Sequence, residues 1–255
     1  MAPRGLKKIL KDTVPAKLTG KGKYKGFEVL KHGKPTGTKL RGLTKALEHR
    51  LWSEGTLPSI ATHGTVKRGG WKGKGGGRKR GTAVDSQLTR QVNSGKTKPT
   101  KGQYTLTKLT LAALAENGLE PVACQRAVCH QTRRVGTAID VLCYEKSTAQ
   151  LTVVELKCGY SGAKEAAAQK NGRPCKMRGP LHNAPDHVLN RHLAQLACTR
   201  EMFVREKGAL SKMQTIGVNN AVGGALLYVN DEATELYSLP EWWITRAPKI
   251  IDALS

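Results

Sequence analysis

The sequence predicts an α/β domain: a mixed central sheet flanked by helices, preceded by a basic and largely irregular N-terminal extension. Three observations carry this expectation. From residue 82 onward the hydrophobic period switches in the order helix, helix, strand, strand, strand, helix, strand, helix, the pattern of a small sheet covered by helices. The charge is lopsided: of a net +24, residues 1–110 hold 26 Lys and Arg against 5 Asp and Glu, a balance of +21, whereas residues 111–255 hold 17 against 14. A chain of 255 residues is long enough for one sizeable core plus an extension. We therefore divide it into a Gly/Lys-rich, partly disordered segment 1–79 and a folded domain 80–255.

Taken in order, residues 1–35 are rich in Lys, Gly and Thr and are broken by Pro3, Pro15 and Pro35, so little fixed structure is expected there. GLTKALEHRLW (42–52) predicts a short helix with Leu43, Ala46, Leu47 and Leu51 on one side. VKRGGWKGKGGGRKRG (66–81) is low complexity: its glycines free the backbone while Lys67, Arg68, Lys72, Lys74, Arg78, Lys79 and Arg80 supply charge. Such a tract can follow a phosphate backbone in many registers, releasing a condensed counterion at each phosphate neutralised.

TAVDSQLTRQVN (82–93) and YTLTKLTLAALAENG (104–118) read as helices, the second closed by Gly118. PVACQRAVCH (121–130), GTAIDVLCYE (136–145) and QLTVVELKC (150–158) read as strands separated by polar turns. Residues 159–185 are expected to be a mobile loop. DHVLNRHLAQLACTREMFVRE (186–206) predicts a long helix, GGALLYVND (223–231) a fourth strand, and PEWWITRAPKIIDAL (240–254) a closing helix with Pro240 at its start.

Charge this strong favours a polyanionic partner, nucleic acid above all. There is no 18-residue apolar run and no recognisable signal peptide, so an intracellular protein with no membrane partner is expected. Basic residues in 67–80 favour a nuclear address over a mitochondrial one. None of the six cysteines forms a C-x-x-C pair, so they are read as small buried thiols in a reducing compartment and not as zinc ligands.

The informative anomaly lies in the second and third strands. Asp140 interrupts an apolar run, and fifteen residues later Glu155 and Lys157 interrupt another. Side chains alternate across a strand, so Glu155 and Lys157 share a face. If the two strands form a hairpin, Asp140 approaches Glu155. Two such carboxylates repel and are costly to bury, a cost that a hard divalent cation removes. A lysine beside them can hold a water or stabilise charge growing on a phosphate. The bland alternative is an edge aspartate and a solvent-facing Glu–Lys pair, which is what a lone E-x-K usually is.

These residues resemble a known family. G-x-x-I-D-V followed by V-V-E-L-K is similar to the second and third motifs of the PD-(D/E)xK nuclease superfamily. The predicted order helix–strand–strand–strand–helix–strand is similar to its core. Gln195 in H-L-A-Q-L-A-C-T resembles the Q-x-x-x-[YT] helix of RecB-like nucleases. R-G-T-A-V-D (80–85) resembles their G-T-x-x-H segment, with Asp85 where histidine is common. Mitochondrial genome maintenance exonucleases and several viral exonucleases are similar in this respect.

The resemblance implies a restriction-endonuclease-like fold over residues 80 to 230 and a nuclease needing Mg²⁺ or Mn²⁺. Asp140, Glu155 and the Leu156 carbonyl would be metal ligands, with Asp85 a candidate for a second site. Lys157 would orient the attacking water, and Gln195 would position the lysine, the water or the DNA strand. Some RecB-like nucleases carry a four-cysteine iron–sulfur cluster; no cysteines cluster after Cys198 here, so none is expected. Tyr160, Arg191 and His192 are candidate DNA contacts, against packing or solvated roles. An exonuclease of replication, recombination or repair is the leading reading, and a compact nuclease with a basic arm would suit a virus, acting in the host nucleus. A structure-specific endonuclease of the junction-resolvase type and a non-catalytic DNA-binding or packaging protein remain open.

Overall fold

The structure, a computed structural model, describes residues 1–19, 26–53, 77–159, 162–167, 175–231 and 233–254, without the side chains of residues 77–79 and 165. Its elements run α1 (Leu6–Asp12), β1 (Ala16–Thr19), β2 (Gly26–Lys31), β3 (Lys34–Gly42), α2 (Leu43–Leu51), α3 (Gly77–Asn93), α4 (Thr105–Glu116), β4 (Leu119–His130), β5 (Val135–Glu145), β6 (Gln150–Cys158), α5 (Ala163–Ala167), α6 (Val188–Val204), α7 (Lys207–Gln214), β7 (Val222–Val229), β8 (Thr234–Ser238) and α8 (Glu241–Asp252), with a 3₁₀ turn at Gly179–Leu181. It is an α/β fold whose mixed central sheet is flanked by helices.

β5 organises the sheet. β4 pairs antiparallel along one whole edge, from Leu119↔Glu145 to His130↔Val135. The opposite edge is shared. Its C-terminal half pairs antiparallel with β6, from Val141↔Val154 to Glu145↔Gln150. Its first two residues pair in parallel with β3, Arg41↔Val135 and Gly42↔Gly136. β6 continues beyond its pairing with β5 and runs parallel to β7 through Cys158↔Val229, and β8 closes that side. A gap therefore opens in the ladder on β5 between Gly136 and Val141.

Two apolar cores lie on the two faces. The smaller joins Val84, Leu88 and Val92 of α3 and Leu111 and Leu114 of α4 to Cys124, Val141, Val154 and Leu227 of the sheet. The larger joins α1, α2, α6, α7 and α8 to Val128, Ile139, Leu142, Val153 and Leu226. Alternation sorts β6 cleanly, Val153 to one core and Val154 to the other. It fails at one rung of the β4–β5 pair. Cys124 packs with the α3 side, yet Arg126 lies over the Phe203 ring of α6, 5.1 Å from its centroid. Val141 and Ile139, opposite them, divide the same way. Between them sit Gln125, held at φ 53°, and Asp140.

The N-terminal segment corrects an expectation. Residues 6–51 are not largely irregular: α1, the β1–β2–β3 meander and α2 occupy most of them. Leu6, Leu10, Leu43, Ala46, Leu47 and Leu51 lie in the same core as Leu196, Phe203 and Ile250. Sparse apolar residues suffice because the main sheet supplies the other half of their core. Phe27 packs so closely on β5 that a Cβ at Gly136 would stand 3.2 Å from its side chain. The short helix over 43–51 and its four buried residues are as expected. Strand β8 and helix α7 were not anticipated. Within 159–185, the described residues contain α5 and the 3₁₀ turn.

Candidate active site

The gap in the ladder is where the charges gather. Where β6 leaves β5, the Leu156 N–H loses its strand partner, and Asp140 Oδ2 accepts it at 3.0 Å. The N–H and C=O of one extended residue leave the same edge of a strand, so the Leu156 carbonyl also points into the gap. Gln125, opposite Asp140 on β4, donates from Nε2 to Asp140 Oδ1 at 3.4 Å and to Asp85 Oδ1 of α3 at 2.9 Å. Its left-handed backbone turns the side chain out of the regular strand pattern and over the gap.

On the α6 side, Glu155 is buried, 2% exposed. Its Oε1 accepts from Lys157 Nζ at 2.5 Å, and that ammonium leans toward Gln195 Oε1 at 3.5 Å. Asp140 and Glu155 lie within hydrogen-bonding reach of each other. Burial, and then the neighbouring Asp140, push Glu155 up to about 7, against the pull of Lys157. Burial also raises Asp140, although Lys157 and the Leu156 N–H oppose it. The pair thus holds a proton above the usual carboxylate range, because one lysine cannot balance two carboxylates largely withdrawn from water.

The structure brings together Asp140, Glu155, Lys157 and Gln195, and places Leu156 and Asp85 beside them. Gln125 bridges Asp85 to Asp140. Among the described residues, no three His, Cys, Asp or Glu side chains gather as a metal cluster. The donors are nonetheless all hard oxygens, and the surplus buried negative charge is what a small divalent cation offsets. Burial pushes the nearby Cys158 thiol up to about 12, so it stays protonated and is a poor ligand.

Other candidates fare differently. Arg80 is buried and ion-paired with Asp231 of the segment after β7. Arg191 likewise points inward: Nε and Nη2 donate to Asp186 at 2.6 and 3.0 Å, and its guanidinium lies 4.6 Å over the Trp52 ring. His192 hydrogen-bonds the Tyr228 hydroxyl at 3.0 Å. Burial, then the charges of Lys157 and Arg191, hold it well below its ordinary value, so it is neutral. Lys67, Arg68, Lys72, Lys74 and Tyr160 lie outside the described residues, and Arg78 and Lys79 are placed by backbone alone, in the first turn of α3.

Gln125 was missed as a site residue. Its only sequence signal is a polar residue inside an apolar strand opposite Asp140, and its role depends on a positive φ that sequence does not display. No protein-family model matches the chain, and no curated protein matches it.

Proposed function

We propose that the chain is a metal-dependent DNA nuclease, with an exonuclease as the leading form, built on a restriction-endonuclease-like core. One observation carries this reading: a buried carboxylate, Glu155, a half-buried one, Asp140, and a lysine converge where β5 and β6 part, between Asp85 of α3 and Gln195 of α6. The succession α3–α4–β4–β5–β6–α6–β7 supports the same core. Asp140, Glu155 and the Leu156 carbonyl would hold Mg²⁺ or Mn²⁺, with Asp85 more remote. When bound, such an ion polarises a phosphate and lowers the pKa of its water.

The chain's own groups supply the rest. Asp140 is fixed by the Leu156 N–H and Gln125, so it presents its carboxylate without reorganising. Glu155 gives up the shared proton when a cation takes its place. Lys157, aimed by Glu155 and Gln195, holds the water and stabilises charge growing on the phosphate. Gln195 acts through Lys157 as a positioning residue.

The test is digestion of end-labelled linear and closed circular DNA in Mg²⁺, Mn²⁺ or EDTA. Asp140→Ala is expected to lower the rate at least about 10³-fold, the scale of losing a transition-state electrostatic group. Linear-only digestion establishes an exonuclease, and cutting of the circle an endonuclease. Metal-independent cutting, or equal rates in both proteins, overturns the proposal. No cutting by either, with DNA still bound, leaves a binding protein.

A further inference from the structure

A groove of about 580 Å³ runs from α1 and β1 across β4 to Gln125, the residue that bonds Asp140 and Asp85. It belongs to the N-terminal lobe as much as to the main sheet, and no part of the site described above accounts for it. Its walls differ in chemistry. Lys7 and Lys11 stand exposed on α1, and Lys17 on β1, where Glu28 pairs with it at 3.4 Å. The floor is apolar, with Phe27 of β2 among its residues. Leu18, the cross-strand partner of Phe27, is 54% exposed at its edge. No Asp or Glu lines the groove among the described residues.

We propose that this groove binds single-stranded DNA leading to the Asp140–Glu155 site, a proposal that rests on the nuclease reading and gives its substrate a strand form. A cationic rim over an apolar floor suits a strand whose phosphates meet lysines while its unstacked bases lie on the exposed Leu18 and the floor beside it, where Phe27 shows only its edge. A volume of this order accommodates a nucleotide or two but not a duplex, whose bases stay stacked and out of reach of the floor. The groove's inner end at Gln125 puts the next phosphate of such a strand beside Asp140. A role therefore follows for α1, β1 and β2 that their composition does not suggest: they form one wall of the substrate channel.

The experiment is photocrosslinking of a twelve-residue oligothymidine carrying 4-thiothymidine to the full-length protein in EDTA, with crosslinked peptides mapped by mass spectrometry. Crosslinks are expected in the peptides holding Leu18 and Phe27, competed by unlabelled oligothymidine but not by a blunt twelve-base-pair duplex. Lys7→Glu/Lys11→Glu is expected to weaken that crosslink at least tenfold with the melting temperature unchanged. Leu18→Asp, at an exposed position, is expected to do the same and guards against misfolding of the first variant. Crosslinks confined to residues 66–81, or equal competition by duplex, overturn the proposal. Because EDTA suppresses metal-dependent cleavage, a groove crosslink in a protein that never cuts DNA sinks only the nuclease reading. DNA cutting without a groove crosslink sinks only the groove.

Discussion

Two cation–carboxylate pairs face the same helix, α6, from the two strands that flank β5, and they differ in balance. Arg126 of β4 grips Glu206 with two hydrogen bonds, at 2.6 and 3.0 Å, and its remaining N–H groups reach the carbonyls of Leu10, Thr13 and Ala127. One cation meets one anion, and acceptors surround the guanidinium. Lys157 of β6 grips Glu155 as tightly, but Asp140 adds a second carboxylate to the same pocket. The first pair is a closed structural joint. The second is crowded by another carboxylate and retains a proton, an arrangement that a bound cation would relieve.

The largest expected effect tests the closed joint. Arg126→Met leaves Glu206 buried without its cation and should cost about 3–5 kcal/mol in urea unfolding. A loss near zero would mean that the Arg126 pair does not differ in kind from an exposed one.

The retained proton should appear in the pH dependence. Glu155 titrates near 4.5 in the unfolded chain and about 7 in the fold. Between those values the fold holds a proton that the unfolded chain has released. Metal-free stability should therefore fall as pH rises from about 4.5 to about 7, on the order of 1 kcal/mol per pH unit from this group, and then level off. Glu155→Gln should remove that part of the slope, and saturating Mg²⁺ should flatten it. Identical slopes in wild type and variant would place the raised titration elsewhere.

A smaller effect belongs to Arg191. Asp186 keeps two donors from Ser53, its N–H at 2.7 Å and its hydroxyl at 2.6 Å, when the guanidinium is removed. Arg191→Ala should thus cost about 2 kcal/mol, less than Arg126→Met. The smallest effect has the opposite sign. Asp140→Asn removes one crowded carboxylate and still offers an oxygen to the Leu156 N–H, so in EDTA it should stabilise by about 1 kcal/mol while abolishing cleavage. Destabilisation would show Asp140 to be another structural acid.

Much of this site was legible in the sequence because it depends on local rules. A hairpin brings Asp140 to Glu155, and a period of two puts Lys157 on the same face. Gln125 escaped because a single positive φ reverses the alternation on which such rules rest. The ion pairs of Arg80 and Arg191 were not legible because composition reports charge and not partners; Asp231 lies 151 residues from Arg80. The N-terminal lobe was misread for a related reason. Phe27, Val29 and Leu40 are too few to make a core alone, and their complement, Ala127 and Ala138, lies about a hundred residues away.

That distance bears on how the protein is made. The N-terminal leucines share a core with Leu196, Phe203 and Ile250, and the Arg41 guanidinium holds the Leu254 carbonyl at 2.5 Å. At the usual pace of translation, ten seconds or more pass between synthesis of α1 and of α8, on the order of 5–20 residues per second. Until then the core that seats α1 and α2 lacks Ile250, Ile251 and Leu254. A chain still on the ribosome therefore leaves its N-terminal leucines without their full cover.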